Sequence, residues 1–342
     1  MSIKETVSVF GAGAFGTSLA QAFARNGSHV RMWARSPHIV DEINHHRRNL
    51  KYAGQTPLHQ NIIATTDFES CLTSSNIWVY ACPSSFFKRF LCDAHNYCKK
   101  EGTKNRPLLN SCKGLEPSSL NFYHTVAQEI LGEDFVNLDY ACLSGPSFAA
   151  EILHEVPTCV TISSLNQELL VHIQRQLSSP TLRMFSNNDL IGTQLGGAMK
   201  NVLAIASGAI EGMGLGYNTQ AAFINLGLGE MARLGKALGA RIETFLGFSG
   251  VGDLILTCTS PLSRNRTFGQ LLGKGHSVED AFKMTGSTIE GYVAAKVIYE
   301  LSVKYSVRAP ICEQVFETLH NGRPLKAAIE ELLSHPPRAE WS

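Results

Sequence analysis

Val7-Ser8-Val9-Phe10, a short apolar run with strand character, leads directly into Gly11-Ala12-Gly13-Ala14-Phe15-Gly16. The helical pattern Ala14–Asn26 follows, and a second strand-like run, His29–Trp33, comes after it. This is G-x-G-x-x-G at the junction of a strand and a helix, inside a β-α-β unit. Each glycine has a separate steric reason in that setting. Gly11 permits the tight turn, Gly13 lets the backbone come close to a pyrophosphate, and Gly16 lets helix and strand pack closely. The first turn of the helix adds free N–H groups and the positive end of its dipole, which suits an anion. The pattern commits the N-terminal half to a doubly wound α/β sheet and points to a dinucleotide ligand.

The end of the second strand selects among dinucleotides. An acidic residue there would take the ribose 2′-hydroxyl of NAD. The sequence instead reads Trp33-Ala34-Arg35-Ser36. A guanidinium pairs well with a phosphate, so Arg35 predicts that NADP is accepted.

The rest of the first half keeps the same rhythm. Strand-like runs are expected at Ile62–Ala64, Ile77–Ala81, Leu108–Ser111, Tyr140–Leu143, Thr158–Ile162 and Leu182–Phe185. Helices are expected at Phe86–Cys98, Leu120–Leu131 and Gln167–Leu177. Strand–helix alternation of this kind predicts βαβ units and a parallel sheet. After Asn188 the strands fade. Helical patterns then run through Asn218–Leu238, Ser277–Met284, Ser287–Lys304 and Leu325–Leu333, and His335–Ser342 reads as a chain end. The Asn187-Asn188-Asp189 cluster is a helix-start signal. The expected organisation is a Rossmann-like domain over 1–188 followed by an all-α substrate domain over 189–342.

Composition narrows the function. The 342 residues hold 30 Lys and Arg against 29 Asp and Glu, so no global field recruits nucleic acid or a membrane surface. Any anion must be held by a local cluster. The nine cysteines form no C-x-x-C pair, which argues against zinc or dithiol chemistry and for reduced thiols; no metal is expected. Ile191–Ile210 has Lys200 as its only formal charge and the length of a membrane span, about 20 residues. Its polar residues and glycines fit a buried helix of a soluble domain better.

Reduction of a ketone needs a proton donor for the developing alkoxide and cations for an anionic substrate. Lys200, in Gln194-Leu195-Gly196-Gly197-Ala198-Met199-Lys200-Asn201, is the candidate donor. Burial in an apolar helix disfavours its ammonium form. Lys113 follows an apolar strand, at the sheet edge where open α/β sheets bind ligands. Ser144-Gly145-Pro146-Ser147-Phe148-Ala149 also follows a strand and suits close backbone approach, or simply a turn and cap. Asp253, between Gly252 and the apolar Leu254-Ile255-Leu256, either orients the lysine or caps a helix. Ser263-Arg264-Asn265-Arg266 gathers two guanidinium groups and an amide that suit a phosphate, provided they converge.

Taken in order, these blocks resemble the bacterial-type NAD(P)-dependent glycerol-3-phosphate dehydrogenases. The blocks that carry the likeness, in a match from Gly11 to about Leu333, are Gly11–Gly16, Lys113-Gly114-Leu115-Glu116, Ser144–Ala149, Gln194–Asn201, Gly252-Asp253-Leu254, Leu256-Thr257-Cys258-Thr259, Ser263-Arg264-Asn265 and Glu290-Gly291-Tyr292. The resemblance implies reversible hydride transfer between dihydroxyacetone phosphate and sn-glycerol 3-phosphate, with NADP or NAD, feeding phospholipid synthesis in the cytoplasm, in a homodimer. It implies that Lys200, Lys113 and Asp253 carry the chemistry. Gly145, Ser147, Asn201, Thr257, Ser263, Arg264 and Asn265 would contact the substrate. Gly11, Gly13, Ala14, Phe15, Gly16, Arg35, Lys113, Ala149, Arg264, Thr288 and Glu290 would line the cofactor. Ala14 replaces a hydroxyl residue common in the family, and Thr288-Ile289 an aliphatic pair. Two other readings compete. A β-hydroxyacid dehydrogenase would share the first domain and take a carboxylate. A non-catalytic dinucleotide sensor would keep the glycine turn and have no use for Lys113, Lys200 and Asp253 together.

Overall fold

The computed structural model describes residues 4–286 and 288–334. Ser287 and His335–Ser342 lie outside them. The chain divides into two compact units. The first runs to Gln194 and takes in Gly247–Ser249, and the second is the remainder from Leu195 on.

The first unit is one eight-stranded sheet. Its strands are β1 (Thr6–Phe10), β2 (His29–Trp33), β3 (Ile62–Thr65), β4 (Ile77–Tyr80), β5 (Leu108–Asn110), β6 (Tyr140–Ser144), β7 (Thr158–Ser163) and β8 (Leu182–Asn187). They lie in the order β3-β2-β1-β4-β5-β6-β7-β8. The order reverses beside β1, the switch point at which open α/β sheets bind ligands. β4, β5 and β6 are buried along their whole length and read as continuous apolar runs, while β3 and β8 at the edges alternate.

Side chains of the central strands divide between two cores. Val7, Val9, Ile77, Val79, Leu109 and Leu143 pack with Leu19 and Phe23 of the Ala14–Arg25 helix on one face. Phe10, Trp78, Tyr80, Leu108 and Tyr140 pack with Phe87, Phe90 and Tyr123 on the other. Helices on both faces of the sheet are what the alternation of strand and helix predicts.

Three expectations need correction. The sheet is not wholly parallel, because β6 and β7 pair antiparallel while every other neighbouring pair is parallel. Only residues 145–157 separate them, with the five-residue helix Ala149–Leu153, which leaves little chain for a crossover. The helix expected from Leu120 begins at Tyr123, since Leu120 has φ +59° and cannot lie in a right-handed helix. The helices Pro37–His46, Arg264–Gly273 and Pro310–His320 have no counterpart among the expected ones, although proline near the start of two of them is a helix-start signal.

The second unit is helical. Leu195, Met199, Val202, Leu203 and Ala204, within the Leu190–Gly212 helix, are all buried, so the helix is enclosed on every side. Asp189 caps its start by accepting from Gly192 N at 2.8 Å. The Arg264–Gly273 helix crosses it at backbone contact. A Cβ on Gly208 would sit 2.0 Å from Arg266 O, and one on Gly269 the same distance from Ile205 O. Glycine at the crossing therefore sets how near residue 265 comes to residue 201. Ile242–Thr259 is long and apolar enough to span a membrane, yet its backbone is non-helical at Gly250 and it contains the buried Asp253.

Candidate active site

In the first unit the glycine turn has the geometry its pattern requires. Gly11 sits at φ +123°, and a Cβ there would lie 2.7 Å from Ala81 O. A Cβ on Gly16 would lie 1.9 Å from Gly11 O. Gly13 differs, because a Cβ there would meet nothing within 4 Å. Turn and helix are packed tightly from behind and left open at Gly13, the arrangement that suits close approach of a pyrophosphate. Ala14 is exposed and Phe15 half-buried at the start of the helix. Arg35 is exposed just beyond β2.

The loop after β5 is anchored along its length. Ser111 Oγ donates to Tyr80 O at 2.6 Å, Cys112 N to Asn110 Oδ1 at 2.9 Å, and Tyr123 Oη to Leu115 O at 3.1 Å. Lys113 Nζ donates to Gly145 O at 3.1 Å, and Ser147 Oγ donates to the same carbonyl at 2.9 Å. Thus Lys113, Gly145 and Ser147, drawn from two loops, do come together. Ala149, half-buried, opens the short helix after them.

Sequence reasoning missed the support behind this loop. His124, next to Tyr123, is held by Gln194, whose Nε2 lies 2.8 Å from its Nδ1. Burial pulls the imidazole down to about 4, so it is neutral near pH 7.

The second unit holds the buried charge. Lys200 Nζ donates to Asp253 Oδ1 at 2.5 Å, with the two side chains 8% and 1% exposed. The cap of the Asp253–Thr259 helix is Gly252, so Asp253 is released from capping and turns to the lysine. Thr257 Oγ1 lies 3.3 Å from the same carboxylate oxygen. A carboxylate at this distance compensates a buried ammonium and fixes where its remaining protons point.

Beside it runs an amide chain. Asn201 Nδ2 donates to Glu290 Oε2 at 3.1 Å, Asn265 Nδ2 to Asn201 Oδ1 at 2.9 Å, and Gly291 N to Asn265 Oδ1 at 2.9 Å. Thr288 and Glu290 are exposed at the start of the Glu290–Lys304 helix.

The Ser263–Arg266 cluster does not converge as a set of phosphate donors. Arg266 turns inward to Glu211 at 2.5 Å, an ion pair that occupies its guanidinium. Ser263 caps the helix by accepting from Arg266 N. Arg264 is left exposed at the first position of the Arg264–Gly273 helix, with Asn265 buried beside it. Helical spacing explains the split, since residues two apart face different ways.

Burial pushes the thiols of Cys71 and Cys258 up to about 12 and that of Cys82 to about 11, so none of these supplies a thiolate near neutral pH.

A turn shaped for a pyrophosphate and a buried lysine–carboxylate pair define a dinucleotide-dependent oxidoreductase. Comparison with known proteins specifies it further. Residues 6–170 match the model of the NAD-dependent glycerol-3-phosphate dehydrogenase N-terminus, and residues 189–330 match that of the C-terminus. A glycerol-3-phosphate dehydrogenase [NAD(P)+] from Halorhodospira halophila is 40% identical over 341 residues, covering 99% of each chain. One from Vibrio parahaemolyticus is 39% identical, covering 98% of this chain and 95% of its own. The crystal structure of glycerol-3-phosphate dehydrogenase from Coxiella burnetii superposes with a TM-score of 0.89 at 33% identity, covering 98% of this chain and all of that one. The chain belongs to the NAD-dependent glycerol-3-phosphate dehydrogenase family.

Proposed function

We propose that this chain reduces dihydroxyacetone phosphate to sn-glycerol 3-phosphate, reversibly, with NADPH or NADH. The observation that carries the reading is the buried Lys200–Asp253 pair, at 2.5 Å. When bound, a reduced nicotinamide dinucleotide supplies the hydride. The substrate's carbonyl oxygen then needs a proton, and Lys200 Nζ provides it. Asp253 orients that nitrogen and balances its charge while it is protonated, and the proton passed to the substrate is regained from solvent. Thr257 Oγ1 donates to Asp253 O at 2.6 Å and so holds the backbone from which the carboxylate projects.

Arg264 takes the substrate phosphate at the start of its helix, where free N–H groups and the dipole add to the guanidinium. Asn265 and Asn201 shape that side, with Ser263 as the cap that sets Arg264. Lys113, Gly145 and Ser147 present a second cation and backbone to substrate and cofactor. Gly11, Gly13 and Gly16 receive the pyrophosphate, with Ala14, Phe15 and Ala149 along the dinucleotide. Arg35, exposed and without an acidic neighbour in Trp33-Ala34-Arg35-Ser36, supports acceptance of the 2′-phosphate. The product is the backbone of glycerophospholipids, which places the reaction at the head of their synthesis. The family likeness also supports a cytoplasmic homodimer.

The test is to mix the protein with dihydroxyacetone phosphate and each reduced cofactor and follow nicotinamide absorbance. Oxidation of NADPH or NADH with dihydroxyacetone phosphate, and not with a 3-oxo acid, is expected. Turnover with the 3-oxo acid alone would favour a hydroxyacid dehydrogenase, and cofactor binding without turnover would favour a sensor.

A further inference from the structure

Asn49 is completely buried, and none of the roles above uses it. Its Nδ2 donates to Ala12 O at 3.0 Å, in the middle of the Gly11-Ala12-Gly13 turn, and to Thr17 Oγ1 at 2.9 Å in the helix that follows. The orientation of the amide is determined, because the Ala12 carbonyl can only accept and so must face nitrogen. Asparagine in this position has a common structural task. Asn49 directly precedes the Leu50–Ala53 helix, and its side chain would ordinarily cap it. It makes no capping hydrogen bond there. Among the described residues its buried Oδ1 has no hydrogen-bond partner. The side chain therefore gives up its usual role, and leaves an acceptor unused, while both of its N–H bonds go to the glycine turn and the helix behind it.

Peptide geometry turns this clamp into a positioning device. The Ala12–Gly13 peptide is planar and trans, so Ala12 C=O and Gly13 N–H point in opposite directions. With the carbonyl held inward by Asn49, Gly13 N–H is aimed outward. Among the described residues that N–H donates to no protein acceptor. Gly13 is also the glycine with open space where a Cβ would be.

The geometry points to Asn49 as a positioning residue for the dinucleotide pyrophosphate: by clamping Ala12 O it presets Gly13 N–H toward the phosphate oxygens. This rests on the reading of Gly11–Gly16 as the pyrophosphate site.

The experiment is an NADPH fluorescence titration of Asn49→Ala in the full chain, with adenosine 2′-monophosphate, which has no pyrophosphate, as a competing ligand. The Kd of NADPH is expected to rise about tenfold, the size of one well-placed hydrogen bond. Affinity for adenosine 2′-monophosphate, and kcat at saturating NADPH, should stay within about twofold of wild type. Thr17→Val removes the second anchor and decides the matter if Asn49→Ala does not fold; it should weaken NADPH about two- to threefold and leave adenosine 2′-monophosphate alone. An unchanged NADPH Kd in the folded variant overturns the proposal, and so does equal weakening of both ligands, which marks general loosening. If the wild-type chain binds NADPH no tighter than adenosine 2′-monophosphate, the pyrophosphate reading itself fails and the role of Asn49 fails with it.

Discussion

The glycine turn and the Lys200 cluster do different work with different materials. The turn acts through backbone, and its specificity lies in atoms that are missing: a Cβ on Gly11 or Gly16 would strike main chain, and one on Gly13 would enter open space. The Lys200 cluster acts through side chains from two helices far apart in sequence, residue 200 in one and residues 253 and 257 in the other, and it exists only once those helices have packed. A backbone site tolerates almost no added volume and is indifferent to charge. A side-chain site tolerates change of shape better than change of protonation.

Five substitutions can break or sharpen this contrast. Gly16→Ala should have the largest effect, because its Cβ would sit 1.9 Å from Gly11 O and no side chain can move aside. NADPH binding, followed by fluorescence, should weaken by about a hundredfold or more, or the first unit should fail to fold by circular dichroism. Near-normal binding would mean the backbone can relax and the turn is not the rigid element described. Asp253→Asn keeps shape and removes charge. It should lower kcat roughly 10- to 100-fold with the Kd of NADPH nearly unchanged, since it disturbs the donor and not the turn. A change in cofactor affinity alone would place Asp253 elsewhere in the scheme.

Arg264 and Arg266 then separate binding from structure within one helix. Arg264→Ala should raise the KM for dihydroxyacetone phosphate by about tenfold or more. Arg266→Ala should leave that KM alone and cost about 1 kcal/mol of stability in denaturant, because Glu211 loses its ion pair and keeps the hydrogen bond from Gln270 Nε2. The reverse pattern would exchange their roles.

The smallest effect concerns Glu230, which accepts from Ile311 N at 2.6 Å and Cys312 N at 3.1 Å at the head of the Pro310–His320 helix. Burial pushes its carboxyl up to about 7, against the pull of those two N–H donors. A raised pKa means the folded state holds the proton more tightly. This contribution to stability is therefore complete below about pH 4.5 and is lost as pH rises through about 7. Glu230→Gln should flatten that fall in Tm, while leaving kcat unchanged; an identical pH profile would show that the carboxyl titrates normally.

The same contrast explains what could be read from the residues alone. The turn was legible because spacing within ten residues encodes a backbone path, and because strand and helix periods flank it. All eight strands were visible for the same local reason. The direction of β7 was not, since pairing depends on how much chain is available to cross over, and β6-to-β7 leaves only residues 145–157. Lys200 and Asp253 were legible as candidates by their apolar and glycine-rich surroundings, whereas their contact is tertiary. Arg264 and Arg266 looked alike in sequence, and only helical phase separates them. Asn49 carried no signal at all, because nothing local distinguishes an asparagine that caps its own helix from one that reaches a turn 37 positions away.

Single-turnover reduction of dihydroxyacetone phosphate by Lys200→Ala, preloaded with NADPH, tests the division of labour most directly. The account predicts a reduction rate lower by about 10²- to 10⁴-fold, with the Kd of NADPH within about twofold of wild type. A rate equal to that of the wild-type protein would contradict it.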